Sequence, residues 1–522
     1  MRLKVGLLNL PCLTVRRTLS YFEGAPPLGL AYIAGALCAA GTRPFVLDAL
    51  GEAVDRYSVF PSAKGDLLVQ GYGVEEIVER LPRGLDVLGI GNLFLHELRF
   101  VQQLLPRLAA EFPETVLILG GETATGMADD ILRMCPDVTG CVLGEGEDAF
   151  LRVLEVLEGG GELHTAPSFA CRVNGAPHRT PRAKRIGDLD EIPWPAWDLF
   201  PVEHYLQAGI RSGVNRGRSL PLLTSRGCPF TCAFCSAPEM WGTKYVDRSP
   251  KWLLDEIEFL IARYGVSNFD FRDLSAALRK SWIRDFHAEV IARGADFTWQ
   301  IPQGTRSESL DRETLALLYE SGCRNFGYAL ESTSPRVITA MRKRVVPGRL
   351  MSSIREALRL PLRLEVFFII GYPNETRWDH LAYLRAILRL AWMGVHSLSV
   401  MQFNPYPGSE DYFRFRAQGR INFDDDAYVY SSLFRGSAQN PDTHSSFSPR
   451  YLLAVQLLFL ILFWGVQFLI RPWRLGQLAW NLLHSREETI LEQFLVVKTR
   501  QWFRLPRKLT RPLAPRADSS SA

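Results

Sequence analysis

The sequence predicts an α/β protein with two parallel sheets and a helical C-terminal region. Three observations predict it: short apolar runs alternate with helix-length stretches, a connector rich in proline and tryptophan separates two such series, and an uncharged run of twenty residues, 451–470, follows them. At 522 residues the chain is too long for one ordinary core, so two or three domains are expected. With 47% hydrophobic and 22% charged residues it has the composition of a folded globular protein, and a net charge of +4 leaves no footprint of a nucleic-acid partner.

The first series contains "KVGLLNL" (4–10), "PFVLDAL" (44–50), "DVLGIGN" (86–92), "TVLILGG" (115–121) and "VTGCVLG" (138–144), with helix candidates such as 28–40 and 97–111 between them. Continuous apolar strands alternating with helices are the mark of a doubly wound parallel sheet, in which ligands bind beyond the carboxyl ends of the strands. Two of those ends are rich in glycine: Gly120 and Gly121, followed by Thr123 and Thr125, and the "GEGE" turn that contains Gly144 and Glu145. Glycines there let backbone amides approach a ligand, and threonine hydroxyls add hydrogen bonds. Many α/β sheets have glycine after a strand, so a ligand site and a plain turn both stay open.

The connector "LDEIPWPAWDLF" (189–200) reads as an extended interdomain linker. A second series begins at "SLPLLTS" (219–225) and continues through "SNFDF" (267–271), "FTWQI" (297–301), "NFGYAL" (325–330), "LEVFFII" (364–370) and "SLSVMQF" (397–403). Six such repeats predict a partial barrel whose active face is the carboxyl end of its strands. The expected divisions are a first domain at 1–160, a linker at 161–210, the barrel at 211–430 and a helical region at 431–522.

Just after the first strand of the second series stands "SRGCPFTCAFC" (225–235), which gathers Cys228, Cys232 and Cys235 in a chain of nine cysteines. The spacing C-x3-C-x2-C wraps one tight loop around a thiolate-bound metal centre. A structural zinc site needs four protein ligands, and no Cys or His occurs between Cys235 and His287. An iron–sulfur cubane on three thiolates keeps one iron open for a small molecule. Zinc with a distant fourth ligand, and buried free thiols, are the competing readings. The remaining cysteines resemble no secreted disulfide framework and fit a reducing cytoplasm. The opening "MRLKVGLLNLP" is too short an apolar run for a signal peptide.

The loop "CPFTCAFC" resembles the cluster loop of the radical S-adenosylmethionine enzymes, including the aromatic Phe234 before the third cysteine. The segments "GCRNFGYALES" (322–332), "FFIIGYPNET" (367–376) and "NPYPGSE" (404–410) resemble others that recur along the barrel of that family. The resemblance implies a 4Fe-4S cluster on the three cysteines, whose open iron is chelated by the amino and carboxylate groups of S-adenosylmethionine. One electron then cleaves the sulfonium to a 5′-deoxyadenosyl radical, so an external reductant such as flavodoxin or ferredoxin is implied as a partner. Glu331 is implied as a polar contact to the cosubstrate, and the turn that starts at Gly371 as a neighbour of its adenine. Many relatives have adjacent acidic residues after the second strand, whereas "FRDLSAAL" (271–278) leaves Asp273 as the one clear candidate for a cofactor contact.

The N-terminal region resembles the Rossmann-like cobalamin-binding domain that precedes the TIM-type (βα)6 barrel in one branch of the family. "PPLGLAYIAGAL" (26–37), "ILGGETATGMADDIL" (118–132) and "CVLGEGEDAF" (141–150) carry the match. Gly120, Gly121, Thr123, Gly144 and Glu145 become candidate cobalamin contacts by that resemblance. The Asp-x-His-x-x-Gly loop that places an imidazole on cobalt in other cobalamin proteins is absent, and His96 reads as a helix-start or surface histidine. No protein imidazole on cobalt is therefore expected.

The run "YLLAVQLLFLILFWGVQFLI" (451–470) would form a helix about 30 Å long, enough for a bilayer core. From Arg471 to Arg516 there follow ten Lys or Arg against three Glu, which would hold the tail on the cytoplasmic side, where the cluster domain must also lie. One crossing cannot satisfy both. A helix lying in the membrane surface, or one docked on the barrel with Gln456 and Gln467 turned to solvent, fits better.

The resemblances together imply a C-methyltransferase acting on an unactivated carbon of a small molecule in the cytoplasm, and the uncharged helix with its basic tail adds the expectation of a hydrophobic or lipid-like substrate and of peripheral attachment to the inner membrane surface. A cyclase or rearrangement enzyme with the same cofactors, and a metal-stabilised scaffold or electron carrier, are the alternatives.

Overall fold

A computed structural model describes residues 2–15, 24–62, 67–424, 426–437, 445–484 and 486–504, with side chains to residue 499. The first series forms β1 (Val5–Asn9), β2 (Phe45–Asp48), β3 (Val87–Gly91), β4 (Val116–Gly120) and β5 (Gly140–Val142), all parallel, in the order β5-β4-β3-β1-β2. Their near-continuous apolar character follows from burial on both faces. Leu7 shares one apolar cluster with α1 (Leu28–Ala39) and α3 (Gly146–Glu158), while its neighbour Leu8 shares another with α2 (Leu98–Glu111). The strand order reverses at β1 and β3, the kind of point where such sheets bind ligands.

The division at residue 160 needs correction. β6 (Phe169–Val173) and β7 (Ala176–Arg179) form an antiparallel hairpin that adds to the far side of β5, so part of the expected linker belongs to the first sheet. Its turn is Asn174-Gly175, both with positive φ, the pair that suits the twist of a two-residue hairpin. A small antiparallel sheet of Cys12–Thr14, Tyr57–Phe60 and Leu67–Gln70 was also not anticipated. The connector at 189–200 is docked rather than extended: Trp197 is buried, and the Ala196 N–H donates to the Ala31 carbonyl of α1 over 2.9 Å.

The second series forms six parallel strands in sequential order: β8 (Ser219–Leu222), β9 (Asn268–Phe271), β10 (Thr298–Thr305), β11 (Cys323–Glu331), β12 (Arg363–Ile370) and β13 (Ser397–Gln402). This is the partial barrel, left open between β8 and β13. α4 (Arg377–Met393) packs beside α5 (Pro449–Ile470), which runs antiparallel to β13. Gln456 Nε2 donates to the Val400 carbonyl over 2.7 Å and Gln467 Nε2 to the Val395 carbonyl over 2.5 Å. The two glutamines do share a face, but it points into the protein, contrary to the solvent-facing expectation. Carbonyls at an outermost strand need donors once a helix excludes water, and the two amides supply them.

After α5 come α6 (Trp473–Leu483) and α7 (Ile490–Arg504). The segment between them closes the amino-terminal end of the barrel. Glu487 pairs with Arg211 at 2.6 Å, both buried, and Glu488 pairs with Arg363 while its carbonyl accepts from Asn325 Nδ2 over 3.0 Å. Arg507, Lys508, Arg511 and Arg516 of the basic tail lie outside the described residues.

Candidate functional site

The cysteine loop leaves the barrel directly after β8. Ser225–Arg226 pairs antiparallel with Val246–Asp247, so the loop starts from a fixed point. Gly227 follows with φ of +83°, and a Cβ there would fall on the Lys244 carbonyl oxygen, so only glycine makes this turn. Ala233 N–H donates to the Met341 carbonyl (3.0 Å), Cys235 N–H to the Cys232 carbonyl (3.1 Å) and Asp411 N–H to the Ala233 carbonyl (2.9 Å). Barrel segments far apart in sequence therefore hold the loop. Cys228, Cys232 and Cys235 are half-buried by residue, and Cys228 Sγ lies 3.6 Å from Ser275 Oγ. Burial pushes the Cys235 thiol up to about 12 and raises Cys232, while Lys343 and Arg306 draw Cys232 back down. Among the described residues no three His, Cys, Asp or Glu side chains converge as a single ion would require. A cluster that gives each thiolate its own iron needs no such convergence.

Glu331 ends β11 with φ of +63°, and its carboxylate sits 2.7 Å from Lys343 Nζ, both groups buried. The same Nζ stands 5.9 Å from the Phe234 ring centre, which brings Glu331, Lys343 and the cysteine loop together. Arg306 stacks on Phe230 at 3.6 Å. The Gly371 N–H donates to Glu375 Oε2 over 2.6 Å, and Leu452 of α5 packs close enough that a Cβ on Gly371 would meet it at 2.8 Å. Asp273 is turned inward. It accepts from the Thr224 N–H (3.1 Å), the Thr224 hydroxyl (2.8 Å) and the Ser225 hydroxyl, and burial raises it to about 6. Its place is beneath the root of the cysteine loop, as a brace for that loop.

The glycine-rich ends of the first sheet face this loop. Glu122, one residue after Gly121, accepts from the Ser236 hydroxyl, and the backbone at Gly126 lies against Pro407 of "NPYPGSE". Gly121 has φ of +117°, and a Cβ would meet the Asn92 carbonyl oxygen at 2.7 Å, whereas a Cβ on Gly120 would make only an ordinary contact with Val142 at 3.9 Å. The Thr123 hydroxyl donates to the Leu93 carbonyl over 3.0 Å, and Thr125 Oγ1 accepts from the Gly144 N–H over 3.0 Å. Glu145 accepts from Arg185 (3.3 Å) and the Ile186 N–H (3.2 Å). Thr123, Thr125 and Glu145 thus brace the loops, and the glycines shape them. Asn92 Oδ1, just after β3, is buried without a hydrogen-bond partner among the described residues.

Comparison with known proteins matches residues 222–387 to the Radical SAM superfamily and residues 19–154 to the B12 binding domain. The cytidylyl-2-hydroxyethylphosphonate methyltransferase of Streptomyces wedmorensis is 30% identical over 374 residues, 66% of this chain and 69% of that protein. The chain belongs to the B12-binding radical SAM enzymes. An uncharacterised methyltransferase of Pyrococcus horikoshii is 29% identical over 58% of this chain and 64% of its own length, so the chain spans about two thirds of these relatives. The radical S-adenosylmethionine methyltransferase TsrM from Kitasatospora setae shares the fold, with a TM-score of 0.61, 16% identity and coverage of 79% of this chain and 76% of that one.

The residues present fit the cofactors of a B12-binding radical SAM enzyme. Three thiols with no fourth protein ligand among the described residues suit a 4Fe-4S cluster with an open iron, and the adjoining Lys343–Glu331 pair offers both charges to the amino and carboxylate groups of S-adenosylmethionine. On the cobalamin side the fit rests on the absence of a tight contact at Gly120 and the orphaned acceptor of Asn92, among the described residues. His96 does start a helix, in the short turn Leu95–Glu97 before α2, but it is buried rather than at the surface. It stacks on Phe94 with Nδ1 3.3 Å from Ser432 Oγ, and burial, then Arg435, pushes its pKa down to about 3. Sequence reasoning missed Lys343, Arg306 and Asn92. Only the first had any signal, a lysine in the basic run Arg342–Arg344 shortly after the Glu331 motif, and nothing local tied the two together.

Proposed function

We propose that the protein transfers a methyl group from S-adenosylmethionine to an unactivated carbon of a hydrophobic or lipid-like small molecule. It would work at the cytoplasmic face of a membrane, with a flavodoxin- or ferredoxin-type reductant. The observation that carries the reading is that the first sheet's glycine-rich end meets the active end of the barrel, Glu122 against Ser236 beside the cysteine loop and Gly126 against Pro407 after the last barrel strand. When bound, the cofactors supply a carbon-centred radical and a transferable methyl group. Cys228, Cys232 and Cys235 would hold the cluster, and Lys343 and Glu331 the polar end of S-adenosylmethionine. The loops at Gly120, Gly121 and Gly144, with Asn92 Oδ1, would hold cobalamin. Asp273 and Phe234 keep the cysteine loop in place. The relatives that carry the name methyltransferase support this choice over cyclisation or rearrangement.

The test supplies S-adenosylmethionine with a deuterated methyl group to anaerobically reconstituted protein and a lipid extract, and seeks a product that has gained the labelled methyl. Deoxyadenosine without a labelled product would sink methyl transfer and leave cyclisation or rearrangement. Cobalamin retention checks the first domain separately. Gly120→Leu adds a bulky side chain at the strand end where no positive φ is needed and is expected to weaken retention on the order of tenfold by crowding the ligand, about 1.4 kcal/mol. Gly121 is a poorer probe, because any side chain there strains the loop itself. In a His96→Gln protein the absorption spectrum of bound cobalamin should be unchanged, since His96 is packed against Phe94 and Ser432.

A further inference from the structure

We propose that the outer face of α5 and α6, rimmed by α4, is a docking surface for an anionic lipid bilayer. The proposal deepens the reading of a membrane-borne substrate and rests on it for its purpose, while its evidence is separate.

Both helices have inverted polarity. Along α5 the outward stripe is Ala454, Leu457, Leu458, Ile461, Gly465 and Leu469, at spacings of three and four, with Ile461 65% and Leu469 83% exposed. The polar Gln456 and Gln467 point the other way, into the protein. α6 repeats the arrangement. Trp473, Leu475, Ala479, Trp480 and Leu483 are outward, while the polar side chains are bonded inward. Arg474 Nη2 donates to the Gly394 carbonyl (2.9 Å), Gln477 Nε2 to Glu488 (3.1 Å) and Asn481 Nδ2 to Glu492 (2.7 Å). A helix facing water shows the reverse order, and exposed apolar residues are ordinarily scattered. A continuous apolar stripe over two successive helices marks a contact surface.

The rim selects the occupant. The exposed stripe of α4 reads Trp378, Leu381, Arg385, Arg389 and Trp392, with the two tryptophans 79% and 69% exposed. No Asp or Glu occurs from Pro449 to His484. Aromatic rings and arginines beside an apolar face, with no carboxylate on α5 or α6 and Asp379 of α4 paired with Arg336, match the boundary between acyl chains and anionic headgroups. A second copy on a two-fold axis would instead bring Arg385 and Arg389 toward their own counterparts. The inner side of α5 is committed to β13 and α4, so the helix offers lipid one face and does not cross. Leu452, buried near its start, packs on the Gly371 turn at the carboxyl end of β12, so the start of α5 stands at the active end of the barrel.

The test is flotation of the full chain with vesicles of phosphatidylcholine alone or mixed with phosphatidylglycerol. Binding to the anionic vesicles is expected, and Ile461→Glu with Leu469→Glu should weaken it by about tenfold or more, because each charge enters the apolar boundary. Absence of wild-type flotation, or unchanged flotation of the folded double variant, overturns the proposal. A concentration-dependent dimer in sedimentation, abolished by the same substitutions, assigns the face to a second copy and overturns it as well. Should the double variant misfold, quenching of the wild-type tryptophan emission by brominated anionic lipid decides, and no quenching counts against docking. None of these readouts needs cofactor or substrate, so failed docking and failed methyl transfer are told apart.

Discussion

Replacing Cys232 with Ala is expected to abolish cleavage of S-adenosylmethionine, read as 5′-deoxyadenosine released by anaerobically reconstituted, reduced protein. Each thiolate supplies one of only three protein bonds to the cluster, so the loss of one leaves an iron without a protein ligand. The same outcome is expected for Cys228 and Cys235. Cys135 and Cys323 are buried in apolar clusters away from the loop, and burial raises Cys323 to about 12, so their replacement by Ala should cost packing and leave the cluster intact. Unchanged deoxyadenosine release from the Cys232→Ala protein would remove the cluster assignment.

The second large effect is on folding. Truncation after Ser446 is expected to give insoluble protein, because it strips α5 from the barrel. Leu452, Val455, Phe459 and Phe463 belong to the same buried apolar cluster as the barrel strands. At ~1.5–3 kcal/mol each, their loss amounts to about 6–12 kcal/mol, comparable with the whole stability of a domain. The carbonyls of Val395 and Val400 lose their donors, and Arg211 is left buried without Glu487. A soluble truncated protein with an unchanged thermal transition would contradict this account of α5. The membrane role of the helix must therefore be tested by outward substitutions rather than by deletion.

How far the sequence reached is clear from particular residues. The strands of both parallel sheets were legible to within a few residues, because a buried parallel strand is largely apolar, and those of the first sheet were also bounded by Gly, Pro or Asp. The hairpin at Phe169–Arg179 was overlooked although Asn174-Gly175 is a strong local turn signal. Its strands carry Arg172, His178 and Arg179, so they lack the apolar run that identified the others. The cysteine triplet stood out because ligands of one centre must be close in space, and a tight loop makes them close in sequence as well.

Sequence alone determined which residues share a helix face, which thiols share a loop and which two families the halves resemble. Only the tertiary structure decided what those faces and loops meet. Gln456 and Gln467 share a face by periodicity alone, yet nothing local says that the face covers β13 while the apolar side is left outward. Lys343 reaches Glu331 because the helix between them, Pro335–Ala340, folds the chain back on itself. Asp273 was legible as an acid beside the site, but its partners Thr224 and Ser225 arrive from a neighbouring strand end. Spacing along the chain fixes direction within one element. The surroundings of a side chain, and with them its charge state and its role, are set by whatever other element packs against it.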